Sequence, residues 1–104
     1  QENRVRKVAE NLLSNPADNR RLEDWAQVAG ASARTLARLF QSETGMSFRT
    51  WRQQLRLQKA VELLAEGRPV TSVAIDLGYE SPSAFIAMFR RTLGAPRTQY
   101  LPQN

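Results

Sequence analysis

The sequence predicts an all-α protein of about seven helices, in which a short two-helix unit occurs twice, once on either side of a long helix. Three observations predict it. Apolar residues recur at helical spacing along nearly the whole chain. No stretch shows the strict alternation of a half-buried strand. A segment of the N-terminal half is also repeated, helix for helix, in the C-terminal half.

Val5, Val8, Ala9, Leu12 and Leu13 fall at i, i+3, i+4, i+7 and i+8, the apolar face of a first helix. Ser14-Asn15-Pro16 ends it, because proline disfavours helical geometry in the residue before it. A short second helix follows on Leu22, Trp25, Ala26 and Ala29. Glu23 and Asp24 sit in its first turn, where carboxylates complement the helix dipole, and Gly30 closes it. The third spans residues 32–44, with Ser32 as N-cap, Leu36, Leu39 and Phe40 as its apolar face and Gly45 as its stop. Phe48, Trp51, Leu55, Ala60, Leu63 and Leu64 mark a fourth helix of about 18 residues, closed by Gly67 and Pro69. Val70, Val73, Ala74 and Leu77 form a fifth that ends at Gly78. Ser81 as N-cap and Pro82 at the first helical position open a sixth, residues 81–93, whose buried stripe is Phe85, Met88 and Phe89. Pro96 starts a last turn reaching Tyr100.

The repeat gives these helices their organisation. When LEDWAQVAGASARTLARLF is set above VTSVAIDLGYESPSAFIAMF, Leu22 falls on Val70, Ala26 on Ala74 and Gly30 on Gly78. With one extra turn residue, Ser32 falls on Ser81, Leu36 on Phe85, Leu39 on Met88 and Phe40 on Phe89. Each copy is a short helix with a small alanine inside, a glycine turn, a serine cap and a second amphipathic helix. This is the pattern of a helix-turn-helix: the alanine lets the crossing helices approach, and the glycine permits the tight turn. One copy is weak evidence of function, since paired helices occur in many proteins that touch no nucleic acid. Two copies held at the ends of a helix roughly 27 Å long could place their second helices about one duplex turn apart, near 34 Å, in successive major grooves.

Composition agrees with that expectation. At 104 residues the chain suits one compact domain, or two very small ones sharing an element. Its 41% hydrophobic and 24% charged residues exclude wholesale disorder. Fifteen Lys and Arg against ten Asp and Glu leave a net +5, with lysine only at Lys7 and Lys59. The rigid guanidinium fork suits phosphates and guanine edges, so polyanions are the leading partner class. The absence of Cys and His excludes disulfides, thiolate nucleophiles, imidazole bases and zinc fingers. The carboxylates are scattered, and Glu62 and Glu66 have an ordinary exposed helix spacing, so no enzymatic role and no cofactor or metal is expected. No apolar run approaches the roughly 18 residues that span a bilayer, and QENRVRK lacks the apolar core of a signal peptide. A cytoplasmic, nucleoid-associated location without a membrane partner is expected. A start at Gln1 rather than Met suggests a fragment of a longer chain.

GYESPSAFIAMFRRTLGAPRTQYL, Gly78 to Leu101, together with ARLFQSETGMSF, Ala37 to Phe48, resembles the DNA-binding domain of the AraC/XylS transcription regulators, and the resemblance covers essentially the whole chain. Its most specific elements are Gly78-Tyr79-x-Ser81, Phe85, Phe89-Arg90-Arg91, Gly94, Pro96 and Tyr100, with Glu43-Thr44-Gly45 in the first copy. Leu101 stands where many members have a basic residue, and Trp51 where many have tyrosine. The resemblance implies a homeodomain-like pair: a first helix-turn-helix subdomain over residues 1–47, a linker helix over 48–66 and a second subdomain over 67–104. It also implies sequence-specific binding to double-stranded promoter DNA in bacteria. Further implied partners are RNA polymerase and an N-terminal effector-sensing or dimerising domain, often a cupin-like barrel, although stand-alone members exist.

On the third helix, Arg34, Ala37 and Arg38 lie opposite Leu36, Leu39 and Phe40, at positions matching the family's base-contacting residues. Taken alone, such a face reads as solvated; within the repeat it reads as the surface turned to bases, because arginine is the commonest reader of guanine. The matching face of the sixth helix is Pro82, Ser83, Ile86, Ala87 and Arg90, and before Arg90 it offers only small or methyl-bearing groups to bases. It suits thymine methyls and DNA shape, or else an exposed Ile86 beside Ala87 packs on a partner protein. Arg49, Thr50, Ser81, Arg90, Arg91, Arg97 and Thr98 are the candidate phosphate contacts. Arg4, Arg6, Arg20, Arg21, Arg56 and Arg68 are expected in solvent, Glu80 in a turn-stabilising role, and Trp25, Trp51, Phe40 and Phe89 in the core. The rival functional class is an all-helical protein-interaction module whose basic charge merely keeps it in solution.

Overall fold

The computed structural model describes residues 3–93, and these fold into helices and their connections, with no strand among them. The helices are α1 (Asn3–Ser14), α2 (Leu22–Ala29), α3 (Ala33–Thr44), α4 (Phe48–Ala65), α5 (Val70–Asp76) and α6 (Pro82–Leu93). The chain divides into two compact units after Leu55, inside α4, so the long helix contributes residues to both. The last turn expected around Pro96 and Tyr100 lies outside the described residues, as do Arg97 and Thr98.

The signals that start and stop these helices act through single hydrogen bonds. The Ser32 hydroxyl oxygen accepts from the Thr35 N–H at 3.1 Å, and that of Ser81 from the Ala84 N–H at 3.1 Å. A third cap of the same type went unnoticed in the sequence: the Ser47 hydroxyl accepts from the Thr50 N–H at 3.1 Å and opens α4. At α2 the Asp24 carboxylate reaches back to accept from the Arg21 N–H at 3.0 Å, half of a capping box.

The glycine turns of the two copies share one geometry. Gly30 has φ 73° and Gly78 φ 88°, in the left-handed region that a side chain makes costly. Each lets the following residue fold back on the small alanine of the preceding helix: the Ala31 N–H donates to the Ala26 carbonyl, and the Tyr79 N–H to the Ala74 carbonyl, both at 3.0 Å. The repeat seen in the residues is thus a repeat in the backbone.

Each unit has its own core. In the first, Val5, Val8 and Leu12 of α1 meet Trp25 and Ala26 of α2, Leu36 and Phe40 of α3 and Phe48 of α4. Phe40 sits edge-on to Phe48 at 5.3 Å and to Trp51 at 5.6 Å, which ties the inner face of α3 to the start of α4. Leu13 is not part of the stripe assigned to it, being 58% exposed. It lies about 80° round the helix from Val5, past the edge of the narrow face that so short a helix buries. In the second unit, Leu57, Ala60 and Leu64 of α4 pack with Val73, Ala74 and Leu77 and with Phe85, Met88 and Phe89 of α6. Burying one such large apolar side chain contributes about 1.5–3 kcal/mol, so each cluster holds its helices against a substantial conformational entropy cost.

Candidate nucleic-acid interface

The second helix of each copy turns an equivalent face outward. On α3, Arg34, Arg38, Gln41 and Ser42 are exposed, and on α6 their counterparts in the repeat, Ser83, Ala87, Arg90 and Arg91, are exposed likewise. Ala37 and its counterpart Ile86 are half-buried at the flank of that face. Pro82 is half-buried too, as is Ser81, whose hydroxyl is engaged in the helix cap. Ala84, which the sequence did not single out, is exposed beside Ser83.

Two expectations need correction here. Ile86 is not an exposed residue: it packs against the second core. At 100° per residue it stands about 60° from Ser83 on the side of Phe89, so its branched side chain leans inward while Ala87 stays out. Arg56, expected in solvent, is only 7% exposed, and its guanidinium lies 5.7 Å from the centroid of the Tyr79 ring. A local signal was present, for Arg56 stands four, seven and eight positions before Ala60, Leu63 and Leu64 on the inner stripe of α4, where the ring of Tyr79 from a distant turn lies beside it.

Apart from Arg4 and Arg6, exposed on α1, the described arginines sort into two groups. Arg20 binds Asp18, Nη2 to Oδ2 at 2.7 Å, with its guanidinium carbon 4.0 Å from the centroid of the buried Trp25 ring. Arg21 faces Glu23 at 3.5 Å, and Arg68 faces Asp76 at 3.4 Å. Arg52, unremarked in the sequence, donates to backbone carbonyls, and Arg56 is turned inward. By contrast Arg34, Arg38, Arg49, Arg90 and Arg91 are exposed, and none of them makes an ion pair among the described residues. Arg90 and Arg91 lie in the last turn of α6, where cations complement the helix dipole. Arg49 and Thr50 are exposed in the first turn of α4, beside the Ser47 cap.

The two helices arm this shared face at different heights. Arg34 and Arg38 stand on the N-terminal half of α3, the part that a recognition helix lays against base edges. On α6 those places hold Ser83 and Ala87, and the arginines come one and two turns later. Arginine can make a bidentate pair with guanine from the first arrangement, whereas small side chains in the second leave only apolar contact and close approach. Arg97 and Thr98 lie outside the described residues. Among the described residues no group of acidic side chains is arranged to hold a metal, and no helix is long and apolar enough to cross a membrane.

Residues 25–103 match the family described as a helix-turn-helix domain. The HTH-type transcriptional regulator NimR of Escherichia coli K12 is 43% identical over 98 residues, covering 94% of this chain and 36% of that protein. The DNA-binding domain of AdpA, a global transcriptional factor solved in complex with a target DNA, superposes with a TM-score of 0.83 at 32% identity, covering 92% of this chain and 87% of that one. A probable AraC family transcriptional regulator from Rhodopseudomonas palustris superposes with a TM-score of 0.76 at 28% identity, covering 94% of each chain. The chain spans about a third of the length of the curated relatives it matches.

Proposed function

The chain belongs to the AraC family of helix-turn-helix transcription regulators, and from that premise we propose that it binds double-stranded promoter DNA by sequence, with α3 and α6 as its recognition helices. Arg34 and Arg38, flanked by Ala37, read bases from α3. Pro82, Ser83, Ile86 and Ala87 give α6 a weaker, methyl- and shape-sensitive contact. Arg49, Thr50, Ser81, Arg90, Arg91, Arg97 and Thr98 hold phosphates. The proposed partition assigns residues 1–47 and 67–104 to the two recognition subdomains and residues 48–66 to the helix that joins them.

The observation that carries this reading is the sorting of the arginines. Arg20, Arg21 and Arg68 face carboxylates and Arg52 and Arg56 are turned inward, while Arg34, Arg38, Arg49, Arg90 and Arg91, like Arg6 on α1, stand exposed without an ion pair among the described residues. An unpaired surface guanidinium loses little when it binds phosphate, and releases counterions from the duplex as it does so. The family is one of transcription regulators rather than of enzymes, and no catalytic step is proposed. For the whole protein we propose action in the cytoplasm, on the nucleoid, through RNA polymerase and an N-terminal effector or dimerising domain.

The test is selection of bound duplexes from a random pool, followed by footprinting and a salt titration of the best site. The expected site is lopsided, one half sharply defined and the other degenerate and A·T-rich, with affinity falling steeply as salt rises. Binding no stronger than that of a control protein of equal charge, or insensitive to salt, would reject the proposal in favour of a protein-interaction module.

A further inference from the structure

Arg56 is the one charged side chain placed in the core among the described residues. A guanidinium stays charged at any pH a protein meets, so burying it costs free energy unless its surroundings compensate. The face of Tyr79 supplies part of that compensation: at 5.7 Å the cation lies within the range of attraction to an aromatic ring. Tyr79 directly follows Gly78, and its N–H closes the turn between α5 and α6 on the Ala74 carbonyl. Its ring meets Phe85 edge-on at 5.5 Å, and Phe85 is fully buried on the inner face of α6. A series of contacts therefore runs within the second unit from α4, through the turn, to the recognition helix. In the first copy Ala31 stands in the place of Tyr79, making the same backbone bond but bringing no ring.

We infer that Arg56 is a positioning residue for the second unit, holding the Tyr79 turn and through it the placement of α6, so that Ser83, Ala87, Arg90 and Arg91 meet the duplex together. The inference rests on the proposed role of α6 at DNA. A buried charge is a weak source of stability, since an apolar residue of similar size often does as well. What Arg56 adds is one defined geometry for a turn whose glycine would otherwise tolerate several. The first unit reads with long, adaptable arginines; the second must bring short side chains close, which a loosely held helix cannot do.

Arg56→Lys keeps the charge but loses the planar fork, and Tyr79→Leu keeps bulk but loses the ring. Each is footprinted on the selected site beside the wild-type chain, with helicity followed by circular dichroism and amide exchange measured on the free protein. In both variants the contribution of the second half-site is expected to fall about tenfold while the first is retained. The double variant should lose no more than either single one, and the Tyr79 amide should exchange faster while that of Ala31 does not change. Wild-type protection of both halves, equal loss at both halves, or loss of the helical signal in both variants overturns the inference. If the wild-type chain binds no duplex, the proposed function fails. The exchange rates then decide whether Arg56 holds the turn, an unchanged Tyr79 amide in Arg56→Lys refuting it.

Discussion

Arg52 reaches across 32 residues of chain to donate from Nη1 to the carbonyl oxygen of Arg20 at 2.7 Å, and from the same nitrogen to that of Asp18 at 3.3 Å. Its guanidinium also lies 4.8 Å from the Phe48 ring centroid. The connection between α1 and α2 is thereby fastened to the start of α4, next to the exposed Arg49 and Thr50. Arg52→Met keeps the apolar stem and removes the charged donor. It should lower the stability of the chain by about 1.5–3 kcal/mol, the range for hydrogen bonds made by a charged group. Urea denaturation of the two proteins measures the difference, and an unchanged midpoint would show that the clamp contributes nothing net.

Asp18 makes stability depend on acid. The side-chain hydrogen bonds from Arg20 are the main cause that holds its carboxyl below the ordinary value of 3.8; partial burial opposes them, and the Arg20 N–H and the nearby Arg52 charge assist. A carboxyl depressed by folding contributes stability that is fully present above its unfolded value and is lost as pH falls through its folded one. The stability difference between the wild type and Asp18→Asn should therefore be constant from neutral pH down to about pH 4 and should shrink below it. Urea midpoints of the pair at several pH values decide the matter: a gap that persists undiminished in acid would mean that the carboxylate charge is not its source.

Arg38 and Arg91 should fail differently. Arg38→Ala is expected to cost about 1–3 kcal/mol on the selected site and to relax preference at one or two base pairs, whereas Arg91→Ala should weaken all sequences alike and flatten the salt dependence. Both positions are exposed, so neither change should disturb folding. Equal losses on specific and random duplexes for Arg38→Ala would make it a phosphate contact.

Ile86 and Ala87 separate packing from contact on adjacent residues of α6. Ile86 leans on the second core and Ala87 stands in solvent. Ile86→Ala should cost on the order of 1–2 kcal/mol of stability, less than a fully buried site would. Ala87→Glu should leave the thermal midpoint nearly unchanged yet repel the duplex and weaken every site. Thermal melts with parallel binding titrations distinguish the two, and full DNA affinity in Ala87→Glu would remove this face of α6 from the interface.

Most of the helical framework was legible in the residues because its signals are local. The serines that cap α3 and α6 and the glycines at the turns each act on backbone within a few positions, and the repeat exposed the pairing of the helices. The Ser47 cap was missed although the same local signal was present, a hydroxyl residue just ahead of an apolar helical face. The outward face of α3 was also legible, since three residues of buried stripe suffice to orient a helix.

What the sequence by itself determined is the order and approximate ends of the helices, the main inward stripe of each apart from such flanking residues as Leu13 and Ile86, and that one unit is built twice. Only the tertiary structure decided which groups meet the arginines that turn inward. Arg34 and Arg38 lie opposite the buried stripe of α3, whereas Arg52 and Arg56 lie along that of α4, four positions after Phe48 and four before Ala60. Arg52 donates to carbonyls of a connection more than thirty positions earlier, and Arg56 lies beside a ring presented from a turn beyond the following helix. Nothing comparable draws Arg34 and Arg38 inward, and they remain in solvent. Helical periodicity is a short-range property of the backbone, whereas the place of a long, flexible, permanently charged side chain depends on which acceptors and aromatic faces folding brings within its reach.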